Sequence, residues 1–135
     1  MTTNNCIFCK IIAGEIPATK ILENDKVFAF LDIRPVNPGH VLVIPKAHHE
    51  MMTGTPDELV SEVFITAKKI MTAIKQALRA DYVAVSVVGT EVPHFHVHLI
   101  PRYFRDNMEA FWPTKEYGKK EQMREVAERI VKEIN

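Results

Sequence analysis

Three histidines stand at alternate positions in Pro93-His94-Phe95-His96-Val97-His98-Leu99-Ile100-Pro101, and they are half of the 6 histidines in the chain. Successive side chains of a strand point to opposite faces, so His94, His96 and His98 share one face while Phe95, Val97 and Leu99 share the other. The apolar face suits packing beneath a helix, which leaves the imidazoles to line a surface or a cleft. Alternate histidines of this kind occur on solvated strands and around metal ions. A catalytic metal on the three would call for a further carboxylate or histidine and an open position, and no acidic residue on a matching face supplies one. The 2 cysteines form a second chemical group, Cys6-Ile7-Phe8-Cys9. In a reducing compartment such a pair is metal-binding or redox-active rather than a structural disulfide. A thioredoxin-like site would need a strand in front of it, and this pair has none.

The elements that must carry these residues follow from hydrophobic spacing and punctuation. A short helix is expected over Cys9–Ala13, ended by Gly14. Thr19–Leu22 and Val27–Leu31 read as a hairpin joined by Glu23-Asn24-Asp25-Lys26. Arg34-Pro35-Val36-Asn37-Pro38-Gly39 is loop, and His40–Ile44 is a central strand ended by Pro45. Thr55-Pro56-Asp57-Glu58 reads as a helix start, with Thr55 as cap, Pro56 in the first helical position and Glu58 completing a capping box. Leu59, Val63, Ala67, Ile70, Ile74 and Ala77 then form one apolar stripe to about Leu78. Tyr82–Val88 and His94–Pro101 are strands. Met123, Val126, Ile130 and Ile134 mark a final helix after Gly118. The order predicts an α+β domain, an antiparallel sheet with helices packed on one side.

Composition bounds the function. At 135 residues the chain is a single domain, 47% hydrophobic and 25% charged, and a chain of this size buries roughly 65–70% of its unfolded surface. Seventeen Lys and Arg balance 17 Asp and Glu, so no global field draws nucleic acid or an anionic membrane, and any phosphate binding must be local. No apolar run approaches the roughly 20 residues of a membrane span. Met1–Asn5 lacks the charge and apolar stretch of a signal peptide, which predicts a cytoplasmic location.

His94-Phe95-His96-Val97-His98-Leu99-Ile100 resembles the His-φ-His-φ-His-φ-φ signature of the histidine-triad (HIT) family, φ being an apolar residue. Phe8-Cys9-Lys10-Ile11-Ile12 with Glu15-Ile16-Pro17 resembles the family's N-terminal half. So does Ala29-Phe30-Leu31-Asp32-Ile33 with Pro38-Gly39-His40-Val41-Leu42-Val43-Ile44-Pro45-Lys46. The likeness covers residues 4 to about 104 well and the tail of about 105–135 more loosely. It implies a five-stranded antiparallel sheet with a long central helix and a C-terminal helix, commonly in a homodimer. It also implies transfer of a nucleoside monophosphate, such as AMP or GMP, from a leaving group to the middle histidine. A neutral imidazole is a competent nucleophile near pH 7, so His96 would attack phosphorus. His98 would donate to a phosphate oxygen, and a main-chain carbonyl would fix the His96 tautomer.

The same resemblance assigns Cys6, Cys9, His48 and His94 to a closed, structural zinc shell, with His48 rather than the adjacent His49 as ligand. It gives Asp32 the ribose hydroxyls, although an Asp ending a strand also serves turn chemistry. Phe8, Ile11, Phe30 and Ile33 resemble the walls around the base; ordinary core is the alternative for each, and for Ile33 the two readings weigh equally. Trp112, the only tryptophan, would cover the partner subunit's site or anchor the tail. The chain departs from many relatives between Val88 and Pro93. It lacks their Asn and long Gly-rich loop, has Thr90 where Gln is frequent, and has Glu91 at a position near the leaving group. Glu91 there would relay a proton or repel an anion. Hydrolysis of phosphoramidates or adenylates is the leading expectation, with dinucleoside polyphosphate hydrolysis and nucleotide-binding regulation as alternatives.

Overall fold

The computed structural model describes residues 5–106 and 116–133; Trp112 and Ile134 lie outside them. Helix α1 (Ile7–Ile12) is followed by strands β1 (Lys20–Glu23), β2 (Val27–Leu31) and β3 (Val41–Pro45). A single 3₁₀ turn (Met52–Gly54) leads into helix α2 (Asp57–Leu78), strands β4 (Tyr82–Ser86) and β5 (Val97–Arg102), and helix α3 (Lys120–Glu133). The strands form one antiparallel sheet in the order β1-β2-β3-β5-β4. This is the α+β fold with five strands, a long helix and a C-terminal helix. No helix among the described residues is long and apolar enough to cross a membrane.

Local chemistry explains the elements. Asn24 Oδ1 accepts from the Lys26 and Val27 amides at 2.9 Å each, closing the β1–β2 turn. Gly39 enters β3 at φ +96°, where an added Cβ would also run into the Leu78 side chain. The α2 stripe is buried at Val63, Ala67, Ile70 and Ile74, whereas Leu59 is half-buried and Ala77 is exposed. Asp57 and Glu58 occupy the first turn of α2, where carboxylates complement the helix dipole.

Several expectations are corrected. Thr55 does not cap α2 and no capping box forms: Pro56 holds the cap position, and the Thr55 hydroxyl donates to the Met51 carbonyl at 2.8 Å across the preceding 3₁₀ turn. Helix α1 starts at Ile7, because Cys6 is itself the cap, its Sγ accepting from the Cys9 amide at 3.3 Å. The β5 ladder begins at Val97 rather than His94, since the Phe95 amide donates to the His49 carbonyl instead. β4 stops at Ser86, two residues short of the expected end.

The helices also do not share one side. α2 packs with Val27, Ala29, Val41, Val43, Phe95, Val97 and Leu99. The opposite face of the sheet, with Phe28, Phe30, Leu42 and Ile44, packs against Cys6 and Phe8 of the α1 segment. The sheet therefore has two covered faces, and the second is covered by a helix of only 6 residues. α3 carries no buried side chain among those described; Met123 and Val126 of its expected apolar face are exposed. The β4 edge presents Tyr82 and Val85, continued by Val87 and Val88, all at least 40% exposed.

Candidate active site

Alternation along the approach to β5 sends Phe95, Val97 and Leu99 into the core under α2 and turns the three histidines to the α1 side. There they serve two adjoining centres, and in each the main chain decides which ring nitrogen holds the proton.

The first centre gathers Cys6, Cys9, His48 and His94, whose donor atoms all lie within 4.8 Å of one another. His94 is fully buried, and its Nε2–H donates to the Pro45 carbonyl at 2.8 Å. Its Nδ1 lone pair therefore faces the sulfurs, 3.3 Å from Cys6 Sγ and 3.5 Å from Cys9 Sγ. His48 Nδ1 lies 3.2 Å from Cys9 Sγ. A tetrahedral zinc shell with bonds of about 2.3 Å to sulfur and about 2.0 Å to nitrogen has ligand atoms about 3.5 Å apart, so the four side chains fit one such ion. A carbonyl holding the far ring nitrogen is the usual way a ligating imidazole is oriented. Without metal, burial holds His94 down to about 4, and burial together with the Cys6 thiol pushes Cys9 up to about 11.

The second centre is formed by His96, His98, His40 and Asp32. His96 is 3% exposed, and its Nδ1–H donates to the His94 carbonyl at 2.7 Å. This is the main-chain carbonyl that the sequence left unidentified, and it leaves the His96 Nε2 lone pair bare. His98 is set by a residue that sequence reasoning missed. The Val36 amide donates to His40 Nδ1 at 3.0 Å, so the neutral His40 ring carries its proton on Nε2. That proton is donated to His98 Nδ1 at 2.9 Å, which puts the His98 proton on Nε2. Burial lowers the pKa of both His40 and His98 below the ordinary 6.5, keeping this relay neutral. Asp32 adjoins it, its Oδ2 at 3.7 Å from His40 Nε2 and its Oδ1 accepting from the Arg34 amide at 2.8 Å. Asp32, His40 and His98 also fall within metal-ligand reach of one another. A metal there would have to strip the proton from a His40 ring whose other nitrogen already accepts a hydrogen bond, so this group fits a directed donor and not an ion.

A signal for His40 was present. His40, Leu42 and Ile44 alternate onto one face of β3, and the register sets Leu42 opposite His98.

A cleft of about 220 Å³ is lined by His96 and His98. It brings together the expected Phe8, Ile11, Phe30, Asp32, Ile33 and Glu91 with His96 and His98, and adds Ile7, Leu42 and Val92. Phe8 meets the His96 ring edge-on at 5.2 Å and the His94 ring at 5.9 Å. Ile33 is 91% exposed at the mouth, which excludes a core role for it.

Comparison with known proteins agrees with this arrangement. The HIT domain model matches residues 13–105. The protein hit of Bacillus subtilis is 40% identical over 96% of this chain and 94% of its own length. Adenosine 5′-monophosphoramidase HNT1 of Saccharomyces cerevisiae is 39% identical over 82% of the chain and 72% of its own. Adenylylsulfatase HINT3 of Arabidopsis thaliana is 38% identical over 76% of the chain and 55% of its own. Among solved structures, a zinc-bound histidine triad family protein from Mycobacterium smegmatis superposes with a TM-score of 0.76 at 30% identity, covering 97% of this chain and 99% of that one. A buried relay of histidines on one sheet face, a Cys-Cys-His-His cluster behind it and a match across most of the chain lead to one conclusion: the chain belongs to the HIT family of histidine-triad proteins.

Proposed function

We propose that this protein is a nucleotidyl hydrolase that cleaves nucleoside monophosphate derivatives, phosphoramidates foremost, at the α-phosphorus. The observation that carries the reading is the pair of opposite tautomers in one cleft, His96 with a bare Nε2 and His98 with a protonated one. His96 Nε2 forms a bond to phosphorus as the bond to the leaving group breaks, and the electron pair departs with that group. The His98 Nε2–H donates to a non-bridging oxygen, where negative charge grows. Water then attacks the nucleotidyl-histidine, the pair returns to Nε2, and a nucleoside monophosphate is released. Asp32 receives the ribose hydroxyls, and Phe8, Ile11, Phe30 and Ile33 flank the base without hydrogen-bond readout, which suits a purine nucleotide such as AMP or GMP.

Cys6, Cys9, His48 and His94 would hold a structural zinc; it supplies no step of the reaction and fastens α1 to the catalytic strand. The reducing cytoplasm suits such thiolate ligands. A homodimer formed through the exposed β4 edge completes the reading.

Incubation with adenosine 5′-phosphoramidate tests it. AMP should be released, and a nucleotidyl adduct should be detected by mass spectrometry on the parent but not on His96→Ala. Turnover by His96→Ala at the parent rate would remove the nucleophile from the proposal.

A further inference from the structure

The cleft over His96 adjoins a second one of about 490 Å³, walled by Arg34, Val36, Ser86 and Val88. Asp32, Ile33, Glu91 and His98 line both, so the His98 ring and the Glu91 side chain stand in the partition. Glu91 is exposed on the turn between β4 and β5. The charges around this partition are unusual for a site that handles phosphate. The acidic residues Asp32 and Glu91 line both spaces. Among the described residues no Lys or Arg lines the first cleft, and Arg34 alone lines the second. Sites built for phosphate chains or sulfate surround them with Arg, Lys or helix N-termini.

We propose that the second cleft receives the group leaving phosphorus, and that Glu91 selects amines with neutral or cationic tails over leaving groups that carry an anion. The inference rests on the nucleotidyl hydrolase reading and specifies its substrate class. With the nucleoside in the apolar cleft and His96 attacking, the bond that breaks lies on the far side of phosphorus. His98, in the partition, then lies beside the phosphoryl oxygens. The nitrogen first takes a proton from solvent and becomes cationic; as the P–N bond breaks it departs with the electron pair as a neutral amine, which takes a second proton from water to become an ammonium ion. A carboxylate in the partition stabilises the protonated nitrogen before the bond breaks and the ammonium that follows, and it repels sulfate, phosphate or carboxylate leaving groups. The neutrality of the buried His40 and His98 leaves this negative charge uncompensated from beneath.

The test uses adenosine 5′-phosphoramidates whose departing amines carry butyl tails ending in an ammonium, a methyl or a carboxylate group, so that the reacting bond is the same. The kcat/KM of the parent should favour the ammonium tail over the carboxylate tail by about tenfold, the scale of reversing one charge near a carboxylate at a protein surface. Glu91→Gln should cut that ratio at least about threefold, and Glu91→Lys should invert it, with the methyl-tailed compound as reference for each protein. Melting temperatures of the three proteins should agree, because Glu91 is exposed. Hydrolysis of all three compounds with the same ratio in the parent and in Glu91→Gln overturns the proposal and leaves the hydrolase reading standing. Hydrolysis of none of them by the parent overturns both.

Discussion

At the scale of single residues, the site works by tautomers assigned from the main chain. The His94 carbonyl and the Val36 amide are an acceptor and a donor that cannot exchange roles, so each fixes one end of a histidine. Protonating His98 would set its Nδ1–H against the His40 Nε2–H across 2.9 Å, and protonating His40 would set its Nδ1–H against the Val36 N–H across 3.0 Å. Both rings have folded pKa values below 6.5 because of burial. As pH falls below 6.5, the unfolded chain therefore takes up protons that the folded chain refuses, and stability declines; above that pH the contribution is fully present. Thermal melts between pH 5 and 8 should show this decline, and His40→Gln should make it shallower. An unchanged slope would mean that His40 carries no such linkage. Asp32 allows a second prediction. If it accepts both ribose hydroxyls, a 2′-deoxy substrate should lose about 1–3 kcal/mol of transition-state stabilisation, roughly five- to hundred-fold in kcat/KM. Asp32→Ala should erase most of that preference, and equal rates on the two sugars in the parent would reduce Asp32 to a turn residue.

At the scale of elements, β3 and β5 are the frame, and the entry to β3 is its tightest point. Gly39 combines φ +96° with a wall formed by Leu78 at the end of α2. Gly39→Ala should therefore destabilise the fold by about 1–3 kcal/mol, read as a lower denaturant midpoint, and should disturb the adjacent His40. A neutral effect would show that the α2 terminus gives way freely. Much of this frame was legible in the sequence. The period of two in Phe95–Leu99 separates core from site before any coordinates are known, and the spacing of Cys6 and Cys9 marks a ligand pair. The alternation of His40 with Leu42 and Ile44 was legible, but its pairing with His98 was not, because that partner is 58 positions away and a histidine heading an apolar run reads as part of a strand. The side of the sheet taken by α1 was hidden for a related reason. Six residues are too few to show a helical period, and what holds them is a set of distant donors. The Thr55 cap failed because a turn that propensity does not announce, Met52–Gly54, engages its hydroxyl first.

At the scale of the whole molecule, a formal charge of zero and an exposed apolar edge point the same way. An edge strand with Tyr82 and Val85 exposed invites pairing with another copy, and little net repulsion opposes it. Light scattering should give twice the 15.4 kDa of one chain, and Val85→Lys should shift the protein to monomer at micromolar concentration. A monomeric parent would leave the edge without that partner.

His94 is shared between the two centres, its ring among the sulfurs and its carbonyl on the His96 ring. In kinetic language, the metal should behave as an all-or-none cofactor with no chemical signature. A chelator, or Cys9→Ser, should lower the active fraction and the melting temperature by about 5 °C or more, leaving the KM of the surviving molecules untouched. Specific activity across preparations should then rise linearly with zinc per chain. Exchanging zinc for cadmium or cobalt should leave kcat within about twofold, because a tetrahedral peg of similar size serves equally well. A kcat that tracked the Lewis acidity of the ion would instead bring the metal into the chemistry.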